Sequence, residues 1–390
     1  MARPMRVRGS GLDMDKIRAM SRLLEGNRKG IVPSPLKWGG GKGKPHYIYP
    51  LRELFRRIGG HEGNAEVLDP FMGSARYSLN LNPGGKATMS DLDPRLVNAM
   101  KAIQSGVSLD WSPYKDDAGF ITPRTFFEQI RGGTPRSRGG THFENFWPPR
   151  EGTLNYLLNR DDLSEAEQLQ AIKLWMMYQN LATSGFPRMA GGLANNTFNW
   201  DPPGHSIEDE WDYSHFQEPM ANFDIRHMNA LDFLQDPDII DTEKTQLLTL
   251  DPPYFLEPGA YGGKNKRKNK KQEGFDEPTT RKLATLAGDL AASGMPIVSY
   301  NSAHAAPIFE DAGFDVHYNK RRENFRSRSG SEMVDKPEMV ATANTGMTED
   351  DWFRDHEEHR WPYDDLEPRK VVKGFQSTLD AFDLAWSLMR

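Results

Sequence analysis

The residues best suited to chemistry stand together at Asp251-Pro252-Pro253-Tyr254. They follow the apolar run Leu247, Leu248, Thr249, Leu250, whose length and flanking turn residues predict a buried parallel strand. In an open α/β sheet such a strand delivers its next residues to the end where ligands bind. Those residues are a carboxylate, a carbonyl aimed by two prolines of fixed φ, and an aromatic ring. Together they suit a planar exocyclic amine. The amino group of adenine is a poor nucleophile because its lone pair is delocalised into the ring. The Asp251 carboxylate and the Pro252 carbonyl can accept its two hydrogens and draw the nitrogen toward tetrahedral geometry, while Tyr254 stacks on the base. The competing reading is a strand that ends in an ordinary proline turn. The chain holds a contrast in Asp201-Pro202-Pro203-Gly204, which no apolar run precedes and no aromatic follows, and which therefore reads as loop.

A second group of acids and small residues lies earlier. Val67-Leu68-Asp69 reads as a strand entering the turn Pro70-Phe71-Met72-Gly73-Ser74, where Gly73 permits close approach of the backbone to a ligand. Ala87 to Asp91 reads as a second strand ending in an acid, at the spacing of about 20 residues where an acid bonds ribose hydroxyls. Gly73-Ser74-Ala75-Arg76 lacks the G-x-G-x-x-G of dinucleotide binding, and Gly39 to Lys44 lacks the spacing of a P-loop. What remains is a nucleoside without a pyrophosphate, for which S-adenosylmethionine is the natural candidate. Asp232 is then placed for the cofactor's adenine amino group. Taken alone, each of these acids reads as a helix cap or turn residue.

The elements that must position these groups alternate in the α/β manner. A helix from Pro50 to Ile58, the strand ending at Asp69, a helix from Ala75 to Leu81, the strand ending at Asp91 and a helix from Pro94 to Ile103 predict a parallel sheet. The pattern breaks over 106–222. Within that stretch only Ser164 to Asn180 is strongly helical, with Ser164 and Glu167 matching a capping box and Leu169, Ile172 and Met176 on one face. Alternation resumes with a strand over Phe223 to Met228, a helix start at Asn229 and the Leu247–Leu250 strand. A helix (Pro278 to Ala292), a strand (Pro296 to Tyr300), a helix (Ala303 to Ala312) and a terminal hairpin of Phe314 to Tyr318 with Glu338 to Ala343 complete it. The expected organisation is a basic extension (1–33), a catalytic domain in two pieces (34–105 and 223–345), a helical, loop-rich recognition insertion (106–222), and an acidic tail with a final helix (346–390).

Bulk properties narrow the class. The chain has 390 residues, 35 Gly, 27 Pro and 37% apolar residues, a globular but loop-rich composition. It has no cysteine, which excludes disulfides and thiolate metal sites. No apolar stretch has the length of a membrane span and no signal peptide is visible, so a cytoplasmic setting is expected. His356-Glu357-Glu358-His359 has the wrong spacing for a zinc helix, so no metal site is read. Net charge is -6, but residues 346–390 carry 11 acidic and 6 basic side chains, leaving the rest of the chain close to neutral. Within that remainder, cations are clumped at Lys264, Lys266, Arg267, Lys268, Lys270 and Lys271, over Lys320 to Arg328, and over Arg131 to Arg150. One such run reads as a solvated loop; three together point to a phosphate backbone.

With these pieces in order, the chain resembles the Dam family of adenine-N6 DNA methyltransferases, of the alpha group. Leu36 to Lys42 is similar to that family's K-W-A-G-G-K motif, Asp69 to Gly73 to its F-x-G-x-G segment, and Ser90-Asp91-Leu92-Asp93 to its N-D-I-N segment. Asp251 to Tyr254 matches its catalytic tetrapeptide. Tyr178-Gln179-Asn180 through Phe186-x-Arg188 and Phe198-Asn199 look like the stretch ending in F-N-V-P, and Glu338 to Asn344 looks like the closing E-L-L-I-T-N strand. Gly73-Ser74-Ala75 stands where the family has a run of glycines, and Trp200 begins a departure from V-P-x-G.

The resemblance implies a Rossmann-like S-adenosylmethionine methyltransferase sheet with an inserted recognition domain. It places Lys37, Trp38, Lys42, Asp69, Phe71, Gly73, Asp91, Asp232 and Asp251 at the cofactor, and Asp251, Pro252, Pro253 and Tyr254 at the target base. The partner it implies is double-stranded DNA with an adenine-containing site, gripped by the 264–271 run and by Arg124, Arg136, Arg138 and Arg188. Methyl transfer would be direct, on a flipped or single-stranded base. Cytosine N4 or RNA adenine as acceptor, and a DNA-binding protein without the chemistry, stand as alternatives.

Overall fold

The computed structural model describes residues 31–36, 45–60, 63, 65–110, 127, 130–131, 151–158, 160–181, 189–190, 193–194, 211–254, 275–322 and 335–353. Its strands are β1 (Ala65–Asp69), β2 (Ala87–Asp91), β3 (Ser108–Leu109), β4 (Met189–Ala190), β5 (Leu193–Ala194), β6 (Trp211–Asp212), β7 (Phe223–His227), β8 (Thr245–Leu250), β9 (Ile297–Ser302), β10 (Asp315–Arg322) and β11 (Asp335–Ala343). Seven of them form one sheet in the order β10-β11-β9-β8-β1-β2-β7. Every neighbouring pair from β7 to β9 is parallel, and only β11 runs the other way, between β9 and β10. Ranked by chain order from the β7 edge, the sheet reads 3-2-1-4-5-7-6. Its first five places are those of a doubly wound nucleotide-binding sheet. The fold is therefore α/β with a mostly parallel sheet, compatible with a Rossmann-like arrangement.

The central strands are apolar on both faces because helices cover both. Val67, Leu247, Val298, Tyr300 and Val340 belong to one hydrophobic cluster, and Leu68, Leu248, Leu250, Ile297, Met339 and Ala341 to the other. The first face receives α1 (Pro45–Arg57), α2 (Arg76–Leu81), α3 (Pro94–Gln104) and, from the expected insertion, α4 (Leu154–Leu157) and α5 (Glu165–Leu181). The second receives α6 (Ala230–Phe233), α7 (Glu277–Ala292) and α8 (Ala306–Asp311). The last described helix, α9 (Glu349–Phe353), buries Trp352 in the first cluster, and Arg57 of α1 bonds Asp351 at 3.4 Å. Caps set several helix starts. The side chains of Asp93, Asn229 and Asp276 accept from the backbone N–H of Arg95, Leu231 and Thr279.

Several expectations are corrected. The first helix begins at Pro45 rather than Pro50, which lies inside it and forgoes one helical hydrogen bond. Ile31 and Val32, at the end of the expected extension, are buried in the core. Strands β10 and β11 do pair, over eight residue pairs from Asp315↔Thr342 to Arg322↔Asp335, but β11 also pairs with β9, so the hairpin is part of the main sheet. In α5 the capping box forms, with Glu167 accepting from the Ser164 N–H at 2.9 Å. Leu169, however, is exposed, and the buried surface is concentrated from Leu174 to Leu181. That buried half joins the cluster on the sheet, so the described part of 106–222 shares the sheet's core. The β3–β6 pair also ties the two ends of this stretch together.

Candidate active site

The register of the central strands locates the site. Asp69, the last residue of β1, pairs with Met89 of β2, and Leu68 pairs with Leu248 of β8. Asp69 is thus level with Met89 on one side and Thr249 on the other. Asp91 and Asp251 each lie two residues further along the neighbouring strands, where β1 has already turned away. Two strand spacings, about 10 Å, separate the strands that carry them, with Asp69 as the floor between. The strand order reverses here, the position at which open α/β sheets bind ligands.

The turn from β1 into α2 forms the near wall. Gly73 takes a φ of 49° and Ala75 one of 55°, both left-handed. Glycine adopts this conformation freely, whereas an alanine there costs about 1–2 kcal/mol. The backbone at Ala75 thus holds a glycine-type conformation with an alanine in place. Within the turn, the Met72 N–H bonds the Ser90 carbonyl at 2.9 Å, tying it to β2. The Gly73 N–H donates to Asp91 Oδ2 at 3.3 Å, and the Asp93 N–H donates to Asp91 Oδ1 at 2.9 Å. Burial nevertheless dominates at Asp91 and pushes its carboxyl up to about 6. Phe71 packs edge-on against Phe275 with ring centroids 5.4 Å apart.

Asp69 is fully buried, and among the described residues no donor meets either carboxylate oxygen in hydrogen-bonding geometry. Burial, with Asp251 next and Asp91 beyond, holds its carboxyl well above the usual range, although the nearby Phe71 N–H works in the opposite direction. The buried Tyr77 hydroxyl likewise has no partner among the described residues. Burial first, then the charge of Asp251, raise that phenol far above its ordinary value. Buried polar atoms without partners are uncommon and mark a place for a polar ligand or water.

The far wall is the tetrapeptide and an aromatic group above it. Leu250 pairs with Ser299 of β9, which brings Tyr300 level with Asp251. Pro252 is buried, and Asp251, Pro253 and Tyr254 are half-buried. Tyr47 of α1 meets Tyr300 edge-on at 5.3 Å, and Tyr77 of α2 stacks on Tyr300 at 5.9 Å. Glu338 of β11, 4% exposed, accepts hydrogen bonds from the hydroxyls of Tyr47 and Tyr254, the latter at 2.9 Å. Burial, then Asp251 and Glu338, hold the Tyr254 phenol well above its ordinary value.

Of the sequence-predicted residues, Asp69, Phe71, Gly73, Asp91, Asp251, Pro252, Pro253 and Tyr254 therefore meet at one end of the sheet. Asp232 lies at that same end, exposed in the first turn of α6 after β7, where Met228 N–H bonds the Asp91 carbonyl at 3.3 Å. Lys37, Trp38, Lys42, the basic run at 264–271, Arg124, Arg136, Arg138 and Arg188 lie outside the described residues. What precedes the first of these groups is described. Asn80 accepts from the Val32 N–H at 2.8 Å and donates to the Val32 carbonyl at 3.2 Å, while Arg52 donates to Asn80 Oδ1 at 3.0 Å. The chain is thus pinned just before Leu36.

Sequence reasoning did not assign Tyr47, Tyr77, Tyr300 or Glu338 to the site. The available signal was a charged residue opening the otherwise apolar run Glu338-Met339-Val340-Ala341. Among the described residues, no helix is long and apolar enough to cross a membrane, and no group of three or more His, Asp or Glu stands ready for a metal ion. Compared with known proteins, the chain matches no family model and no curated protein.

Proposed function

We propose that the chain is a site-specific DNA adenine methyltransferase that moves the methyl group of S-adenosylmethionine to the N6 amine of an adenine flipped out of the duplex. The observation that carries this reading is the exit of Asp251-Pro252-Pro253-Tyr254 from β8 at the switch point, beside the buried carboxylate of Asp69 and the strand-end acid Asp91. The residues fit the cofactor. The orphaned Asp69 carboxylate suits a cationic group, and Asp91 at the end of β2 suits ribose hydroxyls. Asp232 faces the same end of the sheet and suits the adenine amine. Lys37, Trp38, Lys42, Phe71 and Gly73 complete the expected set.

S-adenosylmethionine supplies an electrophilic methyl group on a sulfonium centre. Asp251 and the Pro252 carbonyl accept the two hydrogens of the target amine, which localises its lone pair on nitrogen and aims it. The paired prolines restrict the backbone so that these acceptors are set before the base arrives. Tyr254 supplies a π-face for the base. The lysines and Arg267 of 264–271, with Arg124, Arg136, Arg138 and Arg188, hold phosphates or base edges. No covalent enzyme intermediate is needed, and a chain without cysteine has no thiolate for attack on cytosine C5.

The test is transfer of labelled methyl to unmodified duplex DNA, followed by digestion to nucleosides and mass spectrometry. N6-methyladenine supports the proposal. N4-methylcytosine would change the base, and label on RNA alone would change the polymer. Cofactor binding with no transfer to any nucleic acid would overturn the enzymatic reading in favour of a binding protein.

A further inference from the structure

Glu338 is a carboxylate in the interior of a sheet, on the same face as Val340 and Tyr300. Burying a carboxylate costs several kcal/mol, and an apolar residue of similar volume at such a place is often neutral or stabilising. An acid at such a place is held by its partners, and two of them among the described residues belong to the site. What the acid does is visible in its partners. One oxygen takes the Tyr254 hydroxyl, from the last residue of the catalytic tetrapeptide. The other takes the Tyr47 hydroxyl, from the first turn of α1, the helix that begins three residues after Lys42 in the expected cofactor loop. Tyr47 is itself held by its edge-on contact with Tyr300, which is stacked on Tyr77. Among the described residues, the Glu338 carboxylate thus joins a partner on the cofactor side to one on the base side.

We propose that Glu338 is a positioning residue that locks the Tyr254 ring, through its hydroxyl, to the cofactor-side helix through Tyr47, so that the ring stands ready for the incoming base. This rests on the reading of the site as an adenine methyltransferase. Glu338 touches neither substrate. Its contribution is to remove the rotational freedom of Tyr254 before the base arrives, which is the order-of-magnitude gain expected of preorganisation. A phenol whose hydroxyl is held at 2.9 Å by a buried acid has lost most of its freedom to turn away.

The test compares Glu338→Gln, Glu338→Leu, Tyr254→Phe and the double variant Glu338→Gln/Tyr254→Phe with the wild type. It reads kcat and KM for methyl transfer, cofactor affinity, and the fluorescence of 2-aminopurine at the target position as a report of base stacking. Tyr254→Phe removes one hydroxyl and keeps the ring, so it stays informative if a Glu338 variant folds poorly. Tyr254→Phe and Glu338→Gln should each lower kcat/KM on the order of tenfold, with cofactor affinity unchanged and stacking of the flipped base weakened. Glu338→Leu should be worse than Glu338→Gln, which keeps one acceptor, and the double variant should be no worse than the poorer single. Wild-type kcat/KM in Tyr254→Phe, or full additivity in the double variant, would overturn the proposal while leaving the enzyme reading intact. A wild type that transfers no methyl to any nucleic acid would remove the enzyme reading, and this proposal with it.

Discussion

Asp91 changes charge within the pH range in which the protein can be handled, and cofactor binding should report it. Burial lifts its carboxyl to about 6 despite the bonds from the Gly73 and Asp93 N–H groups. If its ionised form accepts the ribose hydroxyls, binding draws on the ionised fraction alone. A carboxyl at about 6 is ~10% ionised near pH ~5 and ~90% ionised near pH ~7, so affinity should rise ~tenfold, or ~1.4 kcal/mol, over that span. The assay is calorimetric titration with S-adenosylmethionine or its demethylated product, in buffers of different ionisation enthalpy so that the released proton is counted. Asp91→Asn should bind more weakly at neutral pH and lose this part of the pH dependence. Asp69 and the ligand's own amine also titrate and the variant keeps both, so the difference between the two curves reports Asp91 together with the relief of its charge at Asp69. Identical slopes in both proteins would refute the reasoning. Stability runs the other way. The folded state raises this pKa, so the contribution of Asp91 to folding is greatest below its ordinary value of 3.8 and is lost as pH rises through about 6. Discounted for its partial exposure, that loss is about 1–2 kcal/mol. Ionisation of Asp91 therefore gives no reason for unfolding at the acid end of the titration, where affinity should be lowest.

The remaining expectations are these. Asp251→Asn keeps the shape of the turn but replaces one acceptor with a donor, so methyl transfer should fall by ~100-fold or more while cofactor binding survives, as turnover and equilibrium binding would show; turnover within a few-fold of wild type would remove Asp251 from its role. Replacing Lys264, Lys266, Arg267, Lys268, Lys270 and Lys271 with Gln should flatten the salt dependence of DNA binding by about 0.9 in log–log slope for each phosphate that is no longer neutralised, and an unchanged slope would remove that run from the interface. Asn80→Ala leaves both backbone groups of Val32 and one bond of the buried Arg52 without their partner, at a cost of about 3 kcal/mol in thermal or denaturant unfolding, and should weaken cofactor affinity by loosening the entry to the Leu36–Lys42 loop. Wild-type stability in that variant would mean that other groups replace these bonds.

What the sequence made legible was local, and what it hid was not. The run from Leu247 to Leu250 and the stretch from Ala87 to Asp91 announce buried strands by composition and bounding turns, and their closing acids follow from chain order alone. Expectation and structure agree there to within two residues. Pro50 misled because a proline is commonest in a first helical turn; here the packing of Tyr47, Ile48 and Leu51 carries the helix back past it to Pro45. Leu169 misled because a helical face was drawn from periodicity, whereas the depth of burial along α5 depends on what packs beside it, and mainly its C-terminal half joins the shared core.

The hydrogen bond from Tyr47 to Glu338 spans 291 positions in the chain, and no local pattern can contain it. It becomes derivable only once the slot of β11 is known. With β11 between β9 and β10, the register pairs Glu338 with Ser302 and Val340 with Tyr300, and the two-residue period of a strand puts Glu338, Val340 and Tyr300 on one face. That face is the one covered by α1, which carries Tyr47. Had β11 stayed in an isolated hairpin with β10, Glu338 would have had neither Tyr300 nor α1 beside it, and an acid opening an apolar strand would read as an ordinary solvated end. The reversed strand is thus what converts Glu338 from a strand terminus into the floor of the aromatic group that meets Tyr254. The Asp251–Tyr254 tetrapeptide is set by its own strand, but its last side chain is set by the topology of the whole sheet.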